Sequence, residues 1–250
     1  MTRECFPICL VTDKRSDQLL RLYFECVYTY APVLDRIQFV RSYESGKYSL
    51  FLLQSVFANV VPYASSELLC EAGFQDHLTA QRTFFERATL LYDLRSEKRH
   101  LQLLQGSILL SSSTFPSSED RDHRFWLTNA VRIAMKLGLH RDKTANEVDH
   151  VTRLLFRRIW WVLYHRDVCL TIFGVDDVRR LHDTDFDTAP LTEKDWDEEH
   201  DNVPQHLDYI LVPITRLEKV YLVENCKLAQ ISRCSRIMAG FGSMANGDNS

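Results

Sequence analysis

Ala134-Met135-Lys136-Leu137-Gly138-Leu139-His140-Arg141-Asp142, followed further on by Arg157-Arg158-Ile159-Trp160-Trp161-Val162-Leu163-Tyr164, is the stretch whose reading decides the fold. The first piece is a helix end, because Gly138 accepts the left-handed backbone that closes a helix. The second piece is a helix carrying an adjacent Arg pair and an adjacent Trp pair. Trp160 and Trp161 cannot both face one direction on a helix, so two apolar surfaces must be covered at once. A helix with that demand belongs inside a helical domain, not on its rim.

The segments on either side agree. Phe125–Leu137 sets Trp126, Ala130, Ile133 and Leu137 on one helical stripe. Thr144-Ala145-Asn146-Glu147 has the spacing of a capping box and is read as opening the Trp-Trp helix, which runs toward Phe173. Near the amino terminus, Gln18–Val27 has apolar residues at helical spacing, with Ser16 or Asp17 as cap and Pro32 as the stop. Leu50–Tyr63 is apolar almost throughout and too long for an ordinary strand, which makes it a buried helix. Leu78–Leu94 turns Phe84, Phe85, Ala88 and Leu91 inward, and Leu101–Leu110 follows. Ser111–Arg121, rich in Ser, Pro and charge, reads as an exposed loop.

Beyond the Trp-Trp helix the composition shifts. His182–Asp201 holds nine acidic residues, one lysine and Pro190, the pattern of an irregular acidic loop. A last helix is expected over Ile214–Ile231, with Leu217, Val220, Tyr221, Leu228 and Ile231 as its apolar residues. No internal repeat and no useful run of strand period is found. The expected architecture is all-α, a multi-helix domain over 18–235 with long buried helices and irregular connecting loops. It is flanked by a leader at 1–17 and a small, polar, disordered tail at 236–250.

Composition narrows the function. A chain of 250 residues with 45% hydrophobic content can bury a large core, and 8 Gly with 7 Pro argue against a turn-rich sandwich or barrel. A net charge of −4 and a pI near 6.1 suit nucleic acid poorly, since DNA affinity rests on clustered Lys and Arg. No apolar run approaches the roughly 18 residues that span a bilayer. The patch at Met1–Thr12 is broken by Pro7 and does not resemble a signal core, so the expected setting is intracellular. Seven cysteines are scattered, only Cys5 and Cys9 lying close together. That is not the spacing of a binuclear zinc cluster, and reduced, mostly buried thiols are expected.

Candidate sites have competing readings. Arg153, Arg157, Arg158 and Arg166, interleaved with the Trp pair, can be an anion-binding face or the internal partners of the acidic residues at Asp183–Asp187. Buried arginines require carboxylates, which favours the second. His140, His165 and the His182-Asp183 doublet are the only hint of a metal centre, alongside His123 and His150. A helical His/Asp metal-dependent hydrolase needs several such ligands converging on one ion, and the sequence shows one doublet in an expected loop. No nucleophile elbow and no Gly-rich phosphate loop is present. The residues supply no catalytic constellation and no cofactor site. A scaffold that binds partners without touching DNA is the other alternative.

The ordered set Leu137, Gly138, Leu139, His140, Arg157, Arg158, Trp160, Trp161, Tyr164, Asp167 and Gly174 resembles the middle homology region of fungal zinc-cluster transcription factors. Tyr23-Phe24, the Pro32 turn, Phe39 and the Leu-Gln-x-x-x-Leu-Leu pattern of Leu104–Leu110 resemble it too, so the likeness spans Leu19–Leu228. Asp183-Thr184-Asp185-Phe186-Asp187 with Pro190-Leu191-Thr192 is similar to the acidic turn of that family. The run Leu191–Asp197 looks like the branch of cutinase and fatty-acid regulators. The resemblance implies a nuclear regulatory domain for transcription of RNA polymerase II genes, and not an enzyme, with the quoted residues serving as a packing signature. It implies zinc and DNA contact only through an amino-terminal module, which Met1–Asp17 is too short to supply. The implied partners are a second copy or a related transcription factor, a small-molecule effector, and no membrane. Two positions depart from the pattern: Val168 replaces an Arg, and Val175-Asp176 replaces Arg-Pro after Gly174. Both departures imply a weakened ion pair and a looser turn.

Overall fold

The computed structural model describes residues 14–113, 121–142, 148–199 and 205–244, the side chains at 197–199 and 233–244 excepted. Among the described residues there is no strand, and the chain is an assembly of α-helices. In order they are α1 (Lys14–Leu22), α2 (Arg36–Glu44), α3 (Leu50–Val60), α4 (Ser66–Glu71), α5 (His77–Asp93), α6 (His100–Leu110), α7 (His123–Lys136), α8 (His150–Ile172) and α9 (Arg216–Met244). Most helix starts are marked by a short polar side chain. Asp35, Ser49, Ser65, Asp76, Asp122 and Asp149 each accept the backbone N–H three residues on, at 2.7–3.2 Å.

The centre of the molecule is α3. Every residue from Phe51 to Val60 is buried, because α3 packs against α1, α5 and α6 together. Its few polar groups are satisfied inside: Asn59 Nδ2 donates to the Leu109 carbonyl at 2.8 Å, tying α3 to α6. Gln105 on α6 donates to the Val33 carbonyl at 2.8 Å, which fixes the turn before α2. From α6 the packing proceeds through α7 and α8 to α9. Trp126 on α7 is fully buried, with Tyr92 and Phe125 each 5.1 Å away between ring centroids. Such offset aromatic clusters add to the burial of the rings themselves.

Several boundaries differ from the sequence reading. The first helix begins at Lys14, so neither Ser16 nor Asp17 caps it; Ser16 is buried and Asp17 accepts from the Tyr43 hydroxyl at 3.0 Å. It runs into a wide turn over Tyr23–Val27, closed by Tyr28 N–H to the Tyr23 carbonyl at 2.9 Å, before Pro32. Helices α2 and α4 were not legible. In α2 only Phe39, Val40 and Tyr43 form a buried apolar stripe. Its fourth buried residue is Arg36, whose guanidinium lies 5.3 Å from the Phe24 ring and 5.4 Å from Tyr28 and donates to the Val212 carbonyl.

The expected capping box at Thr144–Glu147 lies outside the described residues; Asp149 is the cap of α8. The last helix continues to Met244, past the tail boundary set at 236, since no Pro follows Ile231 to stop it. The tail at 245–250 and the leader at 1–13 lie outside the described residues. In α9 the buried face is Leu222, Val223, Cys226 and Ala229 with Lys219, whereas Leu217, Tyr221, Leu228 and Ile231 are exposed. The helix has two apolar faces, and the one with smaller residues faces the protein.

One close approach is testable. A methyl group at Gly106 on α6 would overlap the buried Phe51 ring of α3. An Ala in a helix interior ordinarily gains about 0.5–1 kcal/mol over Gly. Here overpacking outweighs that gain, and Gly106→Ala is expected to destabilise the fold by about 1–2 kcal/mol in chemical denaturation.

Candidate functional site

Two glycines frame the site. Gly138 has φ +77°, and Gly138 N–H and Leu139 N–H donate to the Met135 and Ala134 carbonyls, both at 3.1 Å. Gly174 has φ +68° and closes α8 the same way, with Gly174 N–H to Thr171 at 3.2 Å and Val175 N–H to Leu170 at 2.9 Å. A residue with a Cβ is strained at either position. The first corner delivers Leu139 and His140 to the side of α8. The second turns the chain back so that 179–196 returns along α8 as a strap.

The strap is fastened at its start by Asp167 of α8. This carboxylate has no solvent exposure. It accepts the backbone N–H of Arg180 at 2.9 Å and of Leu181 at 3.0 Å, with the guanidinium groups of Arg180 at 3.3 Å and Arg179 at 3.7 Å. The far end is fastened by a second buried carboxylate, Asp195 on the strap itself. Arg157 of α8 meets it at 2.8 Å, and Arg158 donates to its backbone carbonyl at 2.8 Å. Asp195 also accepts Thr192 N–H at 2.7 Å, folding its own loop.

Between these ends the strap covers the indoles. Phe186 sits 5.3 Å from Trp160, 5.9 Å from Trp161 and 5.6 Å from Tyr164 between ring centroids. The Trp161 indole N–H donates to the Ala189 carbonyl at 2.8 Å, and the Tyr164 hydroxyl donates to Asp183 at 3.0 Å. The corner after Gly138 joins in: Thr188 Oγ1 donates to the Leu139 carbonyl at 2.8 Å, Asp187 N–H to the His140 carbonyl at 3.1 Å, and Asp142 N–H to the Asp187 carboxylate at 2.8 Å. Leu139, His140, Arg157, Arg158, Trp160, Trp161, Tyr164 and Asp167 therefore converge on one strap. Leu137, Gly138 and Gly174 act at the helix ends that aim it.

The arginines are turned to internal use, with different partners from those expected. Arg157 pairs with Asp195, outside the acidic turn at 183–187, and Arg166 donates to the Ile108 carbonyl and Ser111 Oγ at 2.6 and 2.8 Å. Arg153 meets His150 Nδ1 at 2.7 Å. Within that turn Asp183 takes Tyr164, and Asp187 faces Arg141 at 3.8 Å. The two departures from the pattern are compensated. Val168 is core, the cations for Asp167 come from Arg179 and Arg180, and Asp176 pairs with Arg180 at 2.6 Å. The ion pair is kept and the turn is held, contrary to the expectation. Sequence missed Arg179, Arg180 and Asp195; the adjacent Arg pair at 179–180 shortly after a helical Asp is the signal that was available.

Among the described residues no three His, Cys, Asp or Glu side chains gather as a metal group, and His182 is exposed while Asp183 is engaged by Tyr164. Burial lowers the His165 pKa to about 4, and burial followed by Arg141 lowers that of His140. Burial pushes the Cys226 thiol up to about 12, so it is unreactive. Cys70, by contrast with the expectation of buried thiols, is exposed, while Cys26 and Cys169 are half-buried. Cys5 and Cys9 and the side chain of Cys234 lie outside the described residues.

The family model for the fungal specific transcription factor domain matches residues 20–243. The chain belongs to that family. The domain is 37% identical, over 86% of its length and 32% of the relative's, to the fusaric acid cluster transcription factor FUB12 of Gibberella fujikuroi. It is 31% identical to the cutinase transcription factor 1 beta of Fusarium vanettenii, over 73% of this chain and 21% of that one. It is 26% identical to the acetamidase regulatory protein of Emericella nidulans, over 73% and 23% of the two chains. The domain thus spans a third or less of the length of these curated relatives. No solved structure matches it significantly. Family and relatives together place the domain in transcription regulation.

Three outcomes are expected of this helix and its strap. Asp167→Asn removes the buried charge that Arg179, Arg180 and two backbone amides surround and should cost about 3–5 kcal/mol, as should Trp160→Ala by leaving a cavity; urea unfolding of the purified domain measures both. Protonation supplies the third. Because the folded His165 pKa lies below its usual 6.5, the unfolded chain binds the extra proton first. The contribution of His165 is intact above about pH 6.5 and declines as pH falls toward about 4. The melting temperature should drop over that window, and less steeply in His165→Gln.

Proposed function

We propose that this domain regulates transcription by restraining or relaying activation, while sequence-specific DNA contact is made by a zinc-cluster segment elsewhere in a longer protein. The observation that carries the proposal is the fate of the basic residues. Arg157, Arg158, Arg166, Arg179 and Arg180 all end on carboxylates, carbonyls or hydroxyls of the domain itself. A DNA-binding face needs such groups free to neutralise phosphates. The relatives are named for a fusaric acid cluster, for cutinase and for acetamidase. By analogy this domain acts in the nucleus on genes of metabolism, within the branch that includes the cutinase regulators. A related transcription factor or a second copy is the proposed partner, and a small molecule the proposed effector. No cofactor is assigned to it. No helix among the described residues is long and apolar enough to cross a membrane.

The test has two arms. Residues 14–244 placed between an unrelated DNA-binding module and an activation segment should change reporter output by about fivefold or more, the scale of an ordinary coupling free energy. The purified domain should give no sequence-specific shift of duplex DNA at physiological salt. A shift on a defined duplex that survives excess nonspecific competitor overturns the proposal, as does a reporter indifferent to the domain.

A further inference from the structure

A hollow lies away from the strap's aromatic cluster, between α2 and the first turns of α8. Its volume is about 380 Å³, within the range of small-ligand sites. One wall is apolar, made by Ile37, Val151 and Leu154. The rim carries Arg41 and Lys47, both exposed. Among the described residues neither side chain takes part in an ion pair. Exposed arginines elsewhere, such as Arg21 and Arg216, do find acidic partners, Glu25 and Glu193, each at 2.9 Å. The acid of the hollow, Asp35, is occupied as the cap of α2, accepting Gln38 N–H at 2.9 Å. The hollow therefore carries an excess of positive charge in a chain whose net charge is −4.

We infer that this cleft binds a small organic carboxylate with an apolar body. The carboxylate lies between Arg41 and Lys47, where charge-assisted hydrogen bonds are the strong ones. The body lies along Ile37, Val151 and Leu154, and Ser42 offers a hydroxyl beside the head group. The volume admits one small molecule and excludes a folded partner. The apolar wall favours an amphipathic acid over inorganic phosphate. Arg158 lines the inner side of the same cleft and also donates to the Asp195 carbonyl at the end of the strap. A ligand seated there touches the residue that fastens the strap, which gives binding a route into the domain. The inference deepens the regulatory reading by naming an effector class and its site. Binding is measured on the purified domain, so its failure is separate from failure of the reporter test.

The experiment is calorimetric titration of the full 250-residue chain with octanoate, alongside 1-octanol and inorganic phosphate. Octanoate should bind with saturation below about 10 mM, and both controls should bind at least about tenfold more weakly. Arg41→Ala with Lys47→Ala, and separately Val151→Asp, should each weaken octanoate at least about tenfold. All three positions are exposed, so these variants should keep the parent melting temperature. Absence of octanoate binding overturns the inference. So does binding unchanged by the variants, or octanol or phosphate binding as well as octanoate.

Discussion

Much of this structure follows from the placement of one carboxylate. Asp167 projects from the last turns of a long helix into a site with no solvent exposure. A carboxylate there is untenable unless cations and N–H groups surround it. Those groups come from 179–181, so the chain must turn sharply after α8 and run back along it. Gly174 permits the turn, and Arg179, Arg180 and two backbone amides complete the cage. The direction of everything up to Asp195 follows from that start. The strap then lays Phe186 against Trp160, Trp161 and Tyr164, giving the Trp pair the second apolar cover that neighbouring helices alone do not supply.

This explains what the sequence disclosed and what it withheld. The Trp-Trp helix, the Gly138 corner and the apolar run of α3 announce themselves because their signals are local, a glycine after periodic residues or unbroken apolarity. The acidic segment at 182–201 reads as an irregular loop, since composition records charge and not destination. Its Asp195 is buried because Arg157 waits on a helix many residues earlier, and its Phe186 and Leu191 mark the side that faces inward. The short helix α2 was hidden because its buried set includes Arg36, a residue that only the Phe24 and Tyr28 rings and the Val212 carbonyl make tolerable inside. The last helix runs well past its expected end and sits in the other phase. Two apolar faces were available there, and periodicity does not say which of them meets the core.

For the function, the economy of charge is the informative feature. The domain directs most of the guanidinium groups around α8 inward, to hold the strap and the α6 end. Among the exposed basic residues, Arg41 and Lys47 form a cationic rim over an apolar wall between α2 and α8. The residue behind that wall, Arg158, belongs to both the cleft and the far anchor of the strap. The charged hollow therefore lies directly beside the fastening of the strap.

The claim that two buried carboxylates pin the strap is tested most directly by amide hydrogen exchange at Arg180, Leu181 and Thr192, the N–H groups that the two carboxylates accept. Protection as strong as that of the α8 interior, lost only on global unfolding, is the expected result. Exchange at the rates of an open loop would mean that the strap is not fastened, and the account built on Asp167 would be wrong.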